Sequence, residues 1–123
     1  KDEWVKNHPI FDGLPAGRLM DYTFYRDIIP DHGWVGQDVP TEVVAGAINT
    51  SIDYSAGLLV SVNNLGAGRF ILNTLLIREN LAHNPVAERL LRNMLNYAAR
   101  DQHKPLAGIP PDFETQLKTL GYW

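Results

Sequence analysis

The chain has 123 residues, a net charge of −3 and an apolar fraction of 45%, values typical of one globular domain rather than a disordered segment. The acidic balance excludes the broad basic field of most nucleic-acid-binding proteins, so no nucleic-acid partner is expected. The absence of cysteine excludes disulfides, Cys-ligated zinc and a Cys nucleophile.

The first residues, KDEWVKNHP, are charged and contain no apolar core of a signal peptide. No apolar stretch reaches the length of a membrane span, so no membrane partner is expected. The chain starts without an initiator Met, and we interpret residues 1–123 as a single domain that is the excised C-terminal part of a larger protein. A periplasmic or extracellular location is slightly favoured over a cytoplasmic one.

Two segments follow this start. Asn7–Gly17 carries two prolines and two glycines around three apolar residues, a pattern that predicts an ordered loop pinned to the body of the domain. Leu19–Pro30 is rich in aromatic and β-branched residues, which predicts a strand or another extended segment.

Three short β-rich runs predict further strands, near Val43–Ile48, at Leu58–Val62 and at Arg69–Ile77. The glycines of NNLGAG lie between the last two runs. A phosphate-binding loop would need a third glycine and a following helix, or a Gly-Lys-Ser/Thr group, and the chain has neither here. The turn therefore predicts a β-hairpin, with Arg69 beside it as a solvated cation.

The clearest element is an amphipathic helix over Asn84–Asp101, with Asn84 as N-cap and Pro85 in the first turn. Its predicted apolar stripe comprises Val86, Ala87, Leu90, Leu91, Met94, Leu95 and Ala98. Residues 104–123 predict a linker followed by a short terminal helix. Because strands precede one strong helix, we expect an α/β open sheet with helical cover.

The candidate site residues lie in loops and form no established motif. No two histidines stand at i, i+4, no zinc motif is present, and no serine lies in a nucleophile elbow, so no metal and no cofactor are expected and no catalytic residue is assigned. Five residues remain as a possible ligand loop: His8, Asp12, Asp21, His32 and Trp34. The alternative interpretation is purely structural: they serve as turn, cap and core residues.

Four stretches together resemble a known family: HPIFDGLPAG, GLLVSVNNLGAGRFILNTL, NPVAERLLRNMLNYAAR and PPDFETQLKTLGYW. They are similar to the C-terminal segment of bacterial glycoside hydrolase family 2 type proteins, where an accessory domain resembles class I glutamine amidotransferases and trehalose-utilisation proteins. The resemblance implies a partial flavodoxin-like sheet. It implies no catalytic residue here, because those amidotransferases use a Cys-His-Glu triad and this chain has no Cys.

The leading hypothesis is a non-catalytic accessory or oligomerisation segment of a carbohydrate-active enzyme with a β-galactosidase-like parent. Its partners would be the remainder of the parent chain, a second copy and possibly a carbohydrate. The alternatives are a trehalose-utilisation-like sugar-processing enzyme and a small carbohydrate-binding module. The enzyme hypothesis requires at least two of His8, Asp12, Asp21 and His32 to converge in one pocket.

Overall fold

The computed structural model describes residues 1–36, 39–51, 54–65, 68–100 and 110–122. The described chain forms a five-stranded antiparallel open sheet with helices, which confirms a mixed α/β fold. The strand order is β2-β1-β3-β4-β5. The strands are β1 (Asp2–Val5), β2 (Arg18–Leu19), β3 (Glu42–Asn49), β4 (Ser55–Leu65) and β5 (Gly68–Asn73).

The flavodoxin-like expectation does not fit this sheet. A flavodoxin-like sheet is parallel, with a crossover helix between neighbouring strands, whereas every pair of neighbouring strands here is antiparallel. The hairpin expectation is confirmed, since β4 and β5 pair from Val60–Asn73 to Leu65–Gly68. Its two turn residues lie outside the described part of the chain.

The first third of the chain departs most from expectation. The charged start forms β1, which fills the gap between β2 and β3. The predicted extended segment Leu19–Pro30 is wrong: β2 ends at Leu19 and a one-turn helix, α1 (Tyr22–Tyr25), follows. This helix begins where the Asp21 carboxylate accepts the Thr23 backbone N–H at 3.0 Å, so local capping outweighs the aromatic β-propensity.

The long helix is confirmed as α3 (Pro85–Ala99), capped by the Asn84 side chain, which accepts the Val86 N–H at 2.9 Å. A one-turn helix, α2 (Ile77–Asn80), precedes it, so the predicted strand at Arg69–Ile77 ends early. The terminal helix is confirmed as α4 (Phe113–Thr119). The predicted linker lies mostly outside the described residues.

One hydrophobic core lies between the sheet and the helices. Val5, Val60 and Val62 contribute from the strands, and Ala87 and Leu90 contribute from α3. The loop before β2 supplies Ile10 and Phe11, which are buried as predicted, and Pro9–Phe11 form a 3-10 turn. The core therefore covers one face of the sheet, and α3 is the main helix that packs against it.

Candidate functional site

A polar cluster centred on Glu42 lies at one end of the covered sheet face. Glu42 begins β3 and pairs with Val62, whose side chain belongs to the core, so the carboxylate points towards the α3 side of the sheet. The Tyr97 hydroxyl donates to Glu42 Oε1 at 2.6 Å. Arg69 Nη1 lies 3.4 Å from the same oxygen, and His8 Nε2 lies 2.9 Å from Oε2.

His8 is held at both ring nitrogens. Its Nδ1 accepts the Ile10 backbone N–H at 3.2 Å, which caps the 3-10 turn. Since Nδ1 accepts, the neutral ring carries its proton on Nε2 and donates it to Glu42. His8 also packs against the Tyr97 ring, with 4.8 Å between centroids. Neither nitrogen is left to abstract a proton from a substrate, so the arrangement suits a positioning role.

The cluster shifts the pKa values of two of its residues, Glu42 and Tyr97. The hydrogen bond from Tyr97 holds the pKa of Glu42 below its usual value, helped by the bond from His8 and the charge of Arg69, while burial opposes the shift. Burial raises the pKa of the Tyr97 phenol, and the bond to Glu42 raises it further. Both shifts favour an ionised carboxylate that accepts from a neutral phenol.

Two guanidinium groups flank the Tyr97 ring. Arg69 and Arg100 each lie 5.9 Å from the ring centroid, within the range of a cation–π contact. Arg69, which the sequence predicts to be solvated, instead pairs with Glu42. The result is a cross-brace that joins β3, β5, the end of α3 and the loop that carries His8.

An open cleft of about 500 Å³ lies beside this cluster. The loop before β2 forms most of its wall, and Arg100 closes it from the end of α3. Asn93, buried in α3, donates to the carbonyl oxygens of Ile10 and Asp12 at 3.0 and 2.9 Å and so fixes the loop. The lining residues that carry polar side chains are Asn7, His8, Asp12 and Arg100.

The structure brings together two of the five predicted site residues. His8 and Asp12 both line the cleft. Asp21 instead caps α1 and pairs with Arg18 at 2.9 Å, and its pKa is lowered chiefly by hydrogen bonding to Thr23. His32 is exposed in the loop before Trp34, and Trp34 forms a β-bridge with Leu58 of β4. The ligand loop is therefore divided between separate parts of the fold.

Sequence reasoning missed Glu42 and Tyr97. A signal for Tyr97 exists, because it continues the buried positions Leu90 and Met94 of α3 by one more turn, and a partly buried tyrosine hydroxyl needs a polar partner. The predicted stripe included Leu95, which is 63% exposed. No signal in the sequence marks Glu42, since its role depends on strand pairing.

The opposite face of the sheet carries a row of apolar residues. Strand register places Leu19, Trp4, Gly46, Leu58 and Trp34 side by side across four strands and the bridging loop. Directly paired residues share a face of an antiparallel sheet. Leu19 and Trp34 are 57% and 43% exposed. We call these five residues the cross-strand row.

The Trp4 indole packs against Gly46. A Cβ built on Gly46 would stand 2.6 Å from Trp4 Cζ2, so the glycine leaves the space that the ring occupies. Ile48, two residues further along β3, is 44% exposed on the same face. An antiparallel sheet with one free face normally presents polar side chains there, and this row is apolar instead.

Among the described residues, no group of three His, Asp or Glu side chains is arranged to hold a metal ion. None of the described helices combines the length and the apolar character that crossing a bilayer would require. No protein-family model matches the chain, and no match was found among curated proteins or solved structures.

Proposed function

We propose that residues 1–123 form a non-catalytic accessory and oligomerisation segment of a carbohydrate-active enzyme with a β-galactosidase-like parent. The observation that carries the docking role is the cross-strand row, an apolar stripe on the sheet face that α3 leaves uncovered. The carbohydrate context is supported by the sequence resemblance alone. A family 2 catalytic barrel encoded upstream of Lys1 would support that context, and an unrelated upstream domain would contradict it.

The docking role predicts that the exposed members of this face hold a second apolar surface. Fully burying a leucine stabilises an association by about 1.5–3 kcal/mol. A lysine at Leu19 or Ile48 would place a charge in that contact, and sedimentation velocity should then show weaker self-association. The matched control is Leu95→Lys, because Leu95 is similarly exposed but lies on the helical side.

Three outcomes of these association measurements can be distinguished. Loss of association in Leu19→Lys and Ile48→Lys, with retention in Leu95→Lys, supports docking through the sheet face that carries the row. Equal effects of all three substitutions would point to general solubility, and a wild-type chain that stays monomeric at all concentrations would contradict the oligomerisation role.

The second candidate is a carbohydrate-binding module that uses the cleft. It is favoured by the convergence of His8 and Asp12 with Asn7 and Arg100, which offers hydroxyl groups both donors and acceptors in a cleft that apolar residues also line. Calorimetry with galactosides tests it, using Asp12→Asn and the exposed loop variant Asp31→Asn as a matched pair. Heat that Asp12→Asn alone abolishes would support the module, and no heat from the wild type would reject it.

The sugar-processing enzyme is less well supported. Two of its four residues do meet in one cleft, which is the convergence that hypothesis requires. However, His8 is engaged at both nitrogens, while Asp21 and His32 lie elsewhere. Turnover of a trehalose-type substrate that His8→Asn abolishes would revive it.

A further inference from the structure

Two side chains attach the loop before β2 to the body of the domain, and they respond differently to pH. The buried Asn93 amide donates to the carbonyl oxygens of Ile10 and Asp12, and an amide does not titrate. His8 Nδ1 accepts the Ile10 backbone N–H at 3.2 Å. Histidine is the side chain whose charge changes between about pH 5 and 8, so the second attachment depends on pH in that range.

Protonation of His8 removes the acceptor of the bond to Ile10. In the neutral ring the proton lies on Nε2, which donates to Glu42 Oε2 at 2.9 Å, and the Nδ1 lone pair faces the Ile10 N–H. A proton taken from solvent binds at that lone pair, because it is the basic nitrogen of the neutral ring. The imidazolium then presents one N–H donor to another, and the Ile10 N–H loses its acceptor.

No rotation of the charged ring restores this bond, because both nitrogens of an imidazolium are donors. The ring also has reason to stay where it is, since Nε2 keeps its bond to the Glu42 carboxylate and the ring packs on Tyr97. The two carboxylates around it attract an imidazolium, and the two guanidinium groups repel it. The charged and titratable side chains around the ring are Glu42 of β3, Arg69 of β5, Tyr97 and Arg100 of α3, and Asp12 of the same loop.

We propose that His8 is a pH-sensitive latch for the loop that walls the cleft, fastened when the ring is neutral and released when it is protonated. His8 is the N-cap of the 3-10 turn Pro9–Phe11, so loss of the capping bond loosens the start of that turn. Asn93 still holds the carbonyl side of the turn, which keeps the change local.

Release of the latch alters the wall of the cleft itself. Asn7 and Pro9 line the cleft on either side of His8 in the chain, and both follow the backbone that the capping bond holds. The cleft should therefore have one shape at neutral pH and a looser one at mildly acidic pH. This inference depends neither on docking through the cross-strand row nor on the ligand that the cleft takes, so it can fail without affecting either.

NMR of the full chain between pH 8 and 5 provides the first test. The ring nitrogens of His8 should show the Nε2-protonated neutral form, followed by protonation at Nδ1. Over the same pH range the Ile10 amide should lose about fivefold in hydrogen-exchange protection, after correction for the intrinsic effect of pH, which is the factor expected for one capping bond. The Leu14 amide, which donates to the Phe11 carbonyl at 3.0 Å, should keep its protection.

Two matched variants assign the response to His8. Asparagine is a good N-cap and does not titrate, so His8→Asn should keep the Ile10 amide protected at the same level from pH 8 to 5. His32→Asn removes an exposed histidine from another loop and should retain the wild-type response. In Glu42→Gln, the His8 titration and the loss of Ile10 protection should move together along the pH axis, because one event causes the other.

Three results would overturn the latch. The first is a His8 ring that carries its neutral proton on Nδ1 or stays neutral down to pH 5. The second is Ile10 protection that does not change while His8 titrates, which the wild type alone reveals even if a variant fails to fold. The third is a loss of Ile10 protection that persists in a folded His8→Asn variant.

Discussion

Tyr97 donates its hydroxyl to Glu42 at 2.6 Å, joining the last turn of α3 to the first residue of β3. The two residues are 55 positions apart, so this bond fixes the helix to the sheet where the apolar core ends. The Glu42 carboxylate also accepts from His8 and pairs with Arg69, so three side chains share it.

Tyr97→Phe should lower the free energy of unfolding by about 1 kcal/mol. Hydrogen bonds to charged acceptors contribute about 1.5–3 kcal/mol when buried, and the Glu42 side chain is 33% exposed, which reduces the value. Urea unfolding measures the change. Tyr22→Phe is the control, because Tyr22 is 87% exposed, and equal losses in both variants would contradict the role of the bond.

The Glu42 cluster should make stability depend on pH on the acid side. The pKa of Glu42 is lower in the folded chain than its ordinary value of about 4.5, so its contribution is complete above that value and is lost as pH falls through the folded pKa. The free energy of unfolding, measured at a series of pH values from neutral to about pH 3, should fall as the pH drops through this window.

Glu42→Gln provides the comparison for that pH series. Glutamine keeps the shape and can accept from Tyr97, but it does not titrate. The variant should be less stable at neutral pH and should lose less stability on acidification than the wild type. An identical acid slope in the two proteins would show that Glu42 is not the group responsible.

Asn93→Ala should loosen the loop that walls the cleft. The Asn93 amide is buried and donates to two loop carbonyls, so its removal leaves both acceptors without that donor, at a cost of about 1–3 kcal/mol. Hydrogen exchange should accelerate at Phe11 and Leu14, whose N–H groups bond within the same loop. Asn96→Ala, at an exposed position of α3, should leave exchange unchanged.

Local signals predicted some elements and tertiary pairing decided others. Asn84 and Pro85 mark the start of α3 because capping is a local effect, and the hairpin follows from two β-rich runs around glycines. β1 was missed because its charged residues resemble a loop, although Glu3 and Val5 are buried in the sheet. Its place between β2 and β3 depends on pairing with segments far along the chain.

The candidate site was predicted only in part for the same reason. His8 and Asp12 lie in one continuous loop, so local order keeps them together beside the cleft. Glu42, Arg69 and Tyr97 come from three elements that meet through the fold, and no spacing in the sequence relates them. The helical pattern predicted which side of α3 faces the core, but it could not predict that Tyr97 in the last turn donates to Glu42.

Gly46→Ala should destabilise the sheet by about 1–3 kcal/mol through overpacking. The added methyl group would stand 2.6 Å from the Trp4 ring and 2.8 Å from the Gly57 carbonyl oxygen, and the backbone oxygen cannot move away without disturbing β4. Thermal unfolding should show a lower Tm, and the tryptophan emission should change as the Trp4 ring is displaced. Ala56→Gly, at an exposed position of β4, serves as the comparison for a change of one methyl group in the sheet, with a smaller loss and unchanged emission. An unchanged Tm and emission in Gly46→Ala would show that the Trp4 ring does not pack against this glycine. The contact between Trp4 and Gly46 at the middle of the cross-strand row would then be contradicted.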